Sequence, residues 1–241
     1  MKGRHIMPQQ PTGCVTTNCP SLNRMMGGGL PKGEITLVYG VSNTGKTTLA
    51  LQCAASVSRD NRKVLYIDCE NSFSPERLAQ IAAQDVHAVS SRIFVFKLQS
   101  FREQALLIED LDRFISKNVA LIVVDTITSL YRLELKTPWL VFSSNRSLNR
   151  QLAYLTQTAK AHDLAVLITS QVHNIIQGDA APLIEPVATR VLKFWSQNIL
   201  QITADSRPSV RKVVLEKHAD LSRMGSSCAL LLDERGIIDL S

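Results

Sequence analysis

The chain has 241 residues with 45% hydrophobic, 20% charged and 5% aromatic side chains, a globular composition that excludes disordered, collagen-like and fibrous classes. Its length suits one large α/β domain, and no stretch approaches the roughly 20 consecutive apolar residues that span a bilayer. Lys and Arg outnumber Asp and Glu by 27 to 21, a net charge of +6 that permits a polyanionic partner without requiring one.

Residues 1–33 hold four prolines and the Gly27-Gly28-Gly29 run, and read as a loop-rich lead with one short helix around Leu22–Met26. MKGRHIMPQQPTGC has no apolar stretch behind its positive charge and is not read as a secretory signal. A strand follows at 34–40, then a Gly-Lys-Thr-Thr turn and a helix over 49–58. KVLYIDC (63–69) is a second strand, followed by a helix opening near Pro75, a residue suited to a first turn. A third strand is expected at 92–98. The helix expected over 101–117 would turn Leu106, Leu107, Leu111 and Phe114 to one face.

The most apolar strand is 119–128. A segment bearing Trp139 and Phe142 leads to a helix at 147–162 and a strand at 164–171. The tail changes period, with closely spaced strands at 198–203, 211–217 and 228–234 and then GIIDL. Strand–helix alternation with a β-rich end implies an α/β fold. Its sheet is mostly parallel, twisted and flanked by helices, with an antiparallel C-terminal extension. The domain reading is a flexible lead at 1–16 and one core at 17–241. Five scattered cysteines without a CxxC pair argue against a disulfide framework and a structural zinc site, and the histidines show no ligand spacing.

Gly40-Val41-Ser42-Asn43-Thr44-Gly45-Lys46-Thr47 matches G-x-x-x-x-G-K-[ST] between an expected strand and helix, the context of a phosphate-binding P-loop. Backbone N–H groups and the helix end would cradle phosphate oxygens. Lys46 would reach the β- and γ-phosphates, Thr47 would ligate Mg²⁺, and Thr48 would bond the α-phosphate. ATP and Mg²⁺ are the cofactors this implies.

Asp125 ends the apolar strand on the side where open α/β sheets bind ligands, and reads as a metal carboxylate or as a simple strand-end cap. Glu70 follows the second strand and is a candidate general base, with a solvated loop glutamate as the alternative. Gln171 ends the strand at 164–171, where an amide could sense the γ-phosphate.

These pieces in this order resemble the RecA/RadA recombinase superfamily, and within it most closely the archaeal RadB family. LNRMMGGGLPKGEITLVYG, GKTTLALQ, YIDCENSFSPERL, LIVVDTITSL, LNRQLAYL, ITSQV and LEKH carry the resemblance over more than nine-tenths of the chain. The most discriminating stretch runs from Tyr66 to Leu78. The resemblance implies a RecA-like P-loop NTPase core with Glu70 as catalytic glutamate, Arg77 packed on the adenine and Gln171 as a switch. It also implies DNA-binding loops at roughly Arg132–Arg146 and Val172–Val187. Full recombinases of this group carry an N-terminal helix-hairpin-helix domain and a Phe-x-x-Ala polymerisation motif. Fewer than 35 residues precede the core here and none forms that motif, which sets the chain closer to the RadB family. Asn71 stands where the family has glycine, and Asn43 is unusual within a P-loop.

Residues 132–150 carry Arg132, Lys136, Arg146 and Arg150 against Glu134. Residues 190–223 carry seven basic residues, Arg190 and Lys193 among them, against three acidic ones. The expected contacts to DNA, single-stranded by preference, are Arg132, Lys136, Arg146, Arg190 and Lys193. Trp139 and Phe142 either stack on bases or pack on the core or a partner. Lys217 and His218 either reach a neighbouring subunit's nucleotide or lie on a surface.

The leading expectation is a cytoplasmic, nucleoid-associated ATPase of homologous recombination and DNA repair, slow in turnover and without a membrane. A mediator that uses ATP to regulate a main RadA-like recombinase is the alternative, a KaiC-like ATPase without DNA is a third reading, and self-association is left open.

Overall fold

The computed structural model describes residues 13–175 and 183–240. The lead expected at 1–16 therefore falls mostly outside the described residues, but β1 (Cys14–Val15) pairs antiparallel with β2 (Leu30–Pro31) across helix α1 (Pro20–Met25). Then come β3 (Ile35–Tyr39), α2 (Lys46–Arg59), β4 (Lys63–Asp68), α3 (Pro75–Ala82), α4 (Val86–Ser90), β5 (Ile93–Lys97) and α5 (Phe101–Glu109). They are followed by β6 (Val119–Asp125), α6 (Ser129–Glu134), α7 (Val141–His162), β7 (Ala165–Ser170), β8 (Val172–Ile175), β9 (Leu183–Pro186) and α8 (Thr189–Trp195). The tail is β10 (Asn198–Ala204), β11 (Val210–Lys217), β12 (Ser227–Asp233) and β13 (Gly236–Asp239).

Nine strands form the main sheet in the order β13-β12-β11-β10-β3-β7-β6-β4-β5. From β10 to β5 all pairings are parallel, and from β10 outward to β13 they are antiparallel. Every residue of β3, β6 and β7 is buried, as parallel strands covered on both faces require. Alternation along the strands divides the core in two. Val64 and Tyr66 face the α1, α2, α3 and α4 side, while Leu65 and Ile67 face α5, α6, α7 and α8.

Two expected elements differ. The helix expected over 101–117 ends at Glu109, and its inward face is Phe101, Gln104 and Ile108, while Leu106 and Phe114 are exposed. The seam runs through a buried glutamine that apolar periodicity does not count. Gln104 Nε2 donates to Ile127 O (3.1 Å) and to Gln151 Oε1 (2.8 Å), which satisfies the buried amide nitrogen. The segment expected as a first DNA-binding loop, Arg132–Arg146, is largely helical, made of the end of α6, a 3₁₀ turn over Pro138–Leu140 and the start of α7. Asn145 makes this possible, donating to Val141 O and accepting from Tyr131 OH, both at 2.8 Å. The second expected loop, Val172–Val187, begins and ends in the antiparallel pair β8–β9, and its 176–182 portion lies outside the described residues.

Candidate functional site

The C-terminal ends of four adjacent strands, β3, β7, β6 and β4, deliver the candidate residues to one edge of the sheet. Register sets them side by side, Tyr39 against Ser170 and Asp68 against Asp125. A cleft of about 460 Å³ opens there, lined by Ser42, Asn43, Gly45, Lys46, Thr47 and Thr48 from the loop and first turn of α2. Glu70, Thr126, Gln171 and Leu232 close its other walls.

The glycines of the loop serve different ends. Gly45 takes φ +100°, which a side chain rarely tolerates. Gly40 is not in that region. A Cβ on Gly40 would stand 2.2 Å from Ile202 O of β10 and 2.9 Å from Thr44 Oγ1, so that position is set by space. Asn43 (φ 64°) and Asn71 (φ 55°) are left-handed, a conformation that Asn adopts more readily than other side chains. One physical reason thus accounts for both unusual asparagines. The first turn of α2 carries no acidic residue, and its positive end faces the cleft. Val41 lies beside the cleft, and its carbonyl accepts from Thr44 Oγ1 at 2.9 Å.

Lys46 is nearly buried, with Nζ donating to Gly40 O and Val41 O, both at 2.9 Å. Burial lowers its ammonium from the ordinary 10.5, against the opposing pull of Asp125 and Glu70. Asp125 lies beneath the cleft, fully buried. Its Oδ2 accepts from Tyr66 OH (2.8 Å) and its Oδ1 from Thr169 Oγ1 (2.5 Å).

Glu70 stands at the cleft lip. Its Oε1 accepts from Thr126 Oγ1 at 3.1 Å and from Gln171 Nε2. Partial burial pushes its carboxyl above the ordinary 4.5; the Thr126 hydrogen bond pulls it down and the Asp125 charge pushes it up. The loop bearing Glu70 is fixed by Asp68, which sequence reading placed only within the second strand. Asp68 is fully buried, and its Oδ1 accepts from Ser72 N (2.9 Å) and Glu70 N (3.3 Å), its Oδ2 from Phe73 N (3.1 Å). Asp68, Tyr66, Thr126 and Thr169 are the site residues the sequence did not single out; an Asp two residues before a strand-end Glu was the available signal.

Arg77 does not line the cleft. Its guanidinium donates to Asp233 O (2.5 Å), Glu234 O (2.9 Å) and Gln80 Oε1 (2.8 Å), so it ties α3 to the β12–β13 turn. Lys217 Nζ donates to Lys193 O (2.8 Å) and Ser196 O (2.7 Å), closing the end of α8. Among the described residues, no group of three or more His, Cys, Asp and Glu could hold a metal ion; the candidate metal donors are Thr47 and Asp125.

A second cleft of about 700 Å³ adjoins the first and shares Glu70 and Gln171 with it. Arg132 and Lys136 line it with Leu130, Leu133 and Leu135. Arg132 donates to Gln171 Oε1. Trp139 and Phe142 are each 81% exposed, which excludes packing over the core. Arg146 and Arg190 are exposed on α7 and α8, while Lys193 lies 4.0 Å from Glu216. Other basic residues of the charge count have local roles. Arg150 pairs with Glu109, Arg207 with Asp205, and Arg223 with Asp220. None of the described helices is long and apolar enough to cross a membrane.

A family model described as Rad51 matches residues 9–240. A "DNA repair and recombination protein RadB" of Methanosphaera stadtmanae is 33% identical over 226 residues, 93% of this chain and 95% of that protein. One of the same name from Thermococcus kodakarensis is 35% identical over 229 residues, 94% of this chain and 99% of that protein. A solved structure described as "Crystal structure of the RadB recombinase" superposes with a TM-score of 0.79 at 34% identity, covering 94% of this chain and 100% of that one. The fold is thus the RecA-like one, with its mostly parallel sheet and antiparallel C-terminal strands.

Proposed function

The chain belongs to the Rad51 family, and from that premise we propose that it binds ATP with Mg²⁺, hydrolyses it slowly and couples the nucleotide to DNA during recombination and repair. The observation that carries this is the meeting of the P-loop, Glu70 and Gln171 around one cleft at the ends of adjacent strands, with Asp125 buried beside it at the end of β6. Its relatives' names, DNA repair and recombination proteins, agree with it.

In this reading residues 40–48 hold the phosphates, with Lys46 leaving its loop carbonyls for the β- and γ-oxygens. The donor set suits Mg²⁺, since a first-turn hydroxyl and a nearby carboxylate are hard oxygen ligands that leave room for water. Thr47 would bind the ion directly. Asp125, whose oxygens already accept from Tyr66 and Thr169, would act through bound water. The ion supplies charge neutralisation on the phosphates. Glu70 accepts the proton of a water whose oxygen attacks the γ-phosphorus, as the bond to the ADP oxygen breaks. Partial burial raises its carboxyl above the ordinary range, the direction that makes a carboxylate a stronger base. Arg77, engaged with the β12–β13 turn, reaches an adenine only if it exchanges those carbonyls.

Arg132, Lys136, Arg146, Arg190 and Lys193 would meet DNA phosphates, with Trp139 and Phe142 stacking on single-stranded bases. Such a protein acts in the cytoplasm at the nucleoid, as one core over 17–241. The exposure of Trp139 and Phe142 also suits a mediator that docks on the main recombinase, a RadA-like protein. Two measurements test the proposal. ATP turnover with and without oligothymidylate is compared for wild type and Glu70→Gln; an unchanged rate in the variant would falsify the general-base assignment. DNA affinity across a salt series should fall steeply, and indifference to salt removes the basic contacts.

A further inference from the structure

The nucleotide cleft lies at the C-terminal ends of the strands, and the opposite edge of the sheet carries charge of its own. The neighbouring strands β6, β4 and β5 begin there at Val119, Lys63 and Ile93. Lys117, Arg62, Lys63 and Arg92 stand at or just before those starts. Backbone bonds set them side by side: Lys63 N donates to Asn118 O (2.8 Å) and Val64 N to Arg92 O (2.9 Å). With strands about 4.8 Å apart, the cations form a row about 10 Å long.

The partners of this row set it apart. The Arg62 guanidinium donates to Asn118 O (3.1 Å) and Val119 O (3.3 Å), and that of Arg92 to Ala88 O (2.5 Å) and Asn61 Oδ1 (2.9 Å). Lys63 Nζ lies 5.4 Å from the centre of the Phe94 ring, and Lys117 is exposed. Neutral acceptors thus hold both guanidinium groups in place without cancelling their charge, and each keeps three of its five N–H donors. The acidic side chains of the flanking turns are engaged elsewhere. Asp85 pairs with Arg59 and Asp110 with Arg113, while Asp112 turns to Thr158 and His162 of α7. Exposed Asp60 opposes the row, one negative charge against its positive ones.

We propose that this edge is a second nucleic-acid surface, which holds a duplex by its phosphates while the cleft side holds a single strand. The two-segment arrangement rests on the proposed DNA contacts of Arg132 and Lys136; the second surface does not. A duplex carries one negative charge per about 1.7 Å of its axis, so a row of this length meets several phosphates. Guanidinium groups already fixed in position lose little freedom when they bind them. The side chains between the cations, Asn61 and Asn118, are exposed and polar, which suits a phosphate backbone and gives an apolar peptide nothing to bury. The six residues of β4 span about 20 Å. A segment lying on one edge therefore leaves the other edge open, and one molecule can bring two segments together.

The test loads the full chain onto surface-tethered oligothymidylate, washes it and offers a fluorescent duplex at 50 mM salt. Wild type should retain the duplex. Lys117→Glu, at a side chain with no hydrogen bond or ion pair among the described residues, should lower the duplex retained per bound protein about fivefold, and adding Arg92→Gln about twentyfold. Oligothymidylate capture and melting temperature of Lys117→Glu should match wild type. Retention unchanged in both variants overturns the second surface. So does polyglutamate that displaces the duplex as well as unlabelled duplex does, because it makes an acidic protein the occupant. The joint variant Arg132→Ala, Lys136→Ala separates the two levels. Undiminished oligothymidylate capture there removes the cleft-side contacts alone, and duplex affinity by fluorescence anisotropy, wild type against Lys117→Glu, then decides the second surface: a fall supports it and equal affinity overturns it.

Discussion

Gly40→Ala tests whether the first glycine of the P-loop is there for space. The added methyl carbon would lie 2.2 Å from Ile202 O, 3.2 Å from Ile202 C and 2.9 Å from Thr44 Oγ1. Ordinary contact begins near 3.4 Å, so loop and strand must part by more than about 1 Å. Neither yields easily. Ile202 pairs with Val213 of β11, and Leu200 of the same strand pairs with Val38 of β3, so β10 is held from both sides. Overpacking of this kind costs about 1–3 kcal/mol, which for a chain this long lowers the melting temperature by about 2–12 °C. The displacement falls on the loop itself, where Thr44 Oγ1 donates to Val41 O and Lys46 Nζ donates to Gly40 O. Affinity for a fluorescent ATP analogue should therefore fall more than about tenfold, out of proportion to the stability loss. Circular dichroism melting and a nucleotide titration measure the two effects. Gly33→Ala is the control, because no atom lies within 4 Å of its added carbon although φ is +73°; it should cost only the backbone strain, about 1 kcal/mol. A Gly40→Ala protein that melts and binds like wild type would refute the spatial argument.

Thr126→Val should move the acid limb of the pH–rate profile upward. As the proposed base Glu70 would have to be ionised, burial already sets its carboxyl above 4.5, and the Thr126 hydrogen bond is what lowers it. Initial rates between about pH 5 and 8 check this, and a limb that moves down or stays put defeats the assignment. Asp68→Asn should reduce kcat and lower stability by about 1–3 kcal/mol, because an amide group in place of one oxygen meets backbone N–H donors with donors. Denaturant melts and turnover test it together; a normal kcat would mean that Asp68 does not position Glu70 through Glu70 N, Ser72 N and Phe73 N.

The sequence by itself determined the strand–loop–helix phosphate motif, the strand ends bearing Glu70, Asp125 and Gln171, and the parallel-then-antiparallel order of the sheet. These are local signals, since apolar runs and turn residues are set by neighbours along the chain. Only the tertiary structure decided which residues meet. Strand order brings β7 between β3 and β6, and so sets Gln171 between the P-loop and Glu70. The buried polar residues Gln104 and Tyr66 break no pattern that a sequence reading can score, because their partners, Gln151 and Asp125, lie far along the chain. Charge counting pointed to two basic segments. The fold ties Arg150, Arg207 and Arg223 to local carboxylates and leaves Arg132 against Gln171, because only folding determines which cations find an anion within reach.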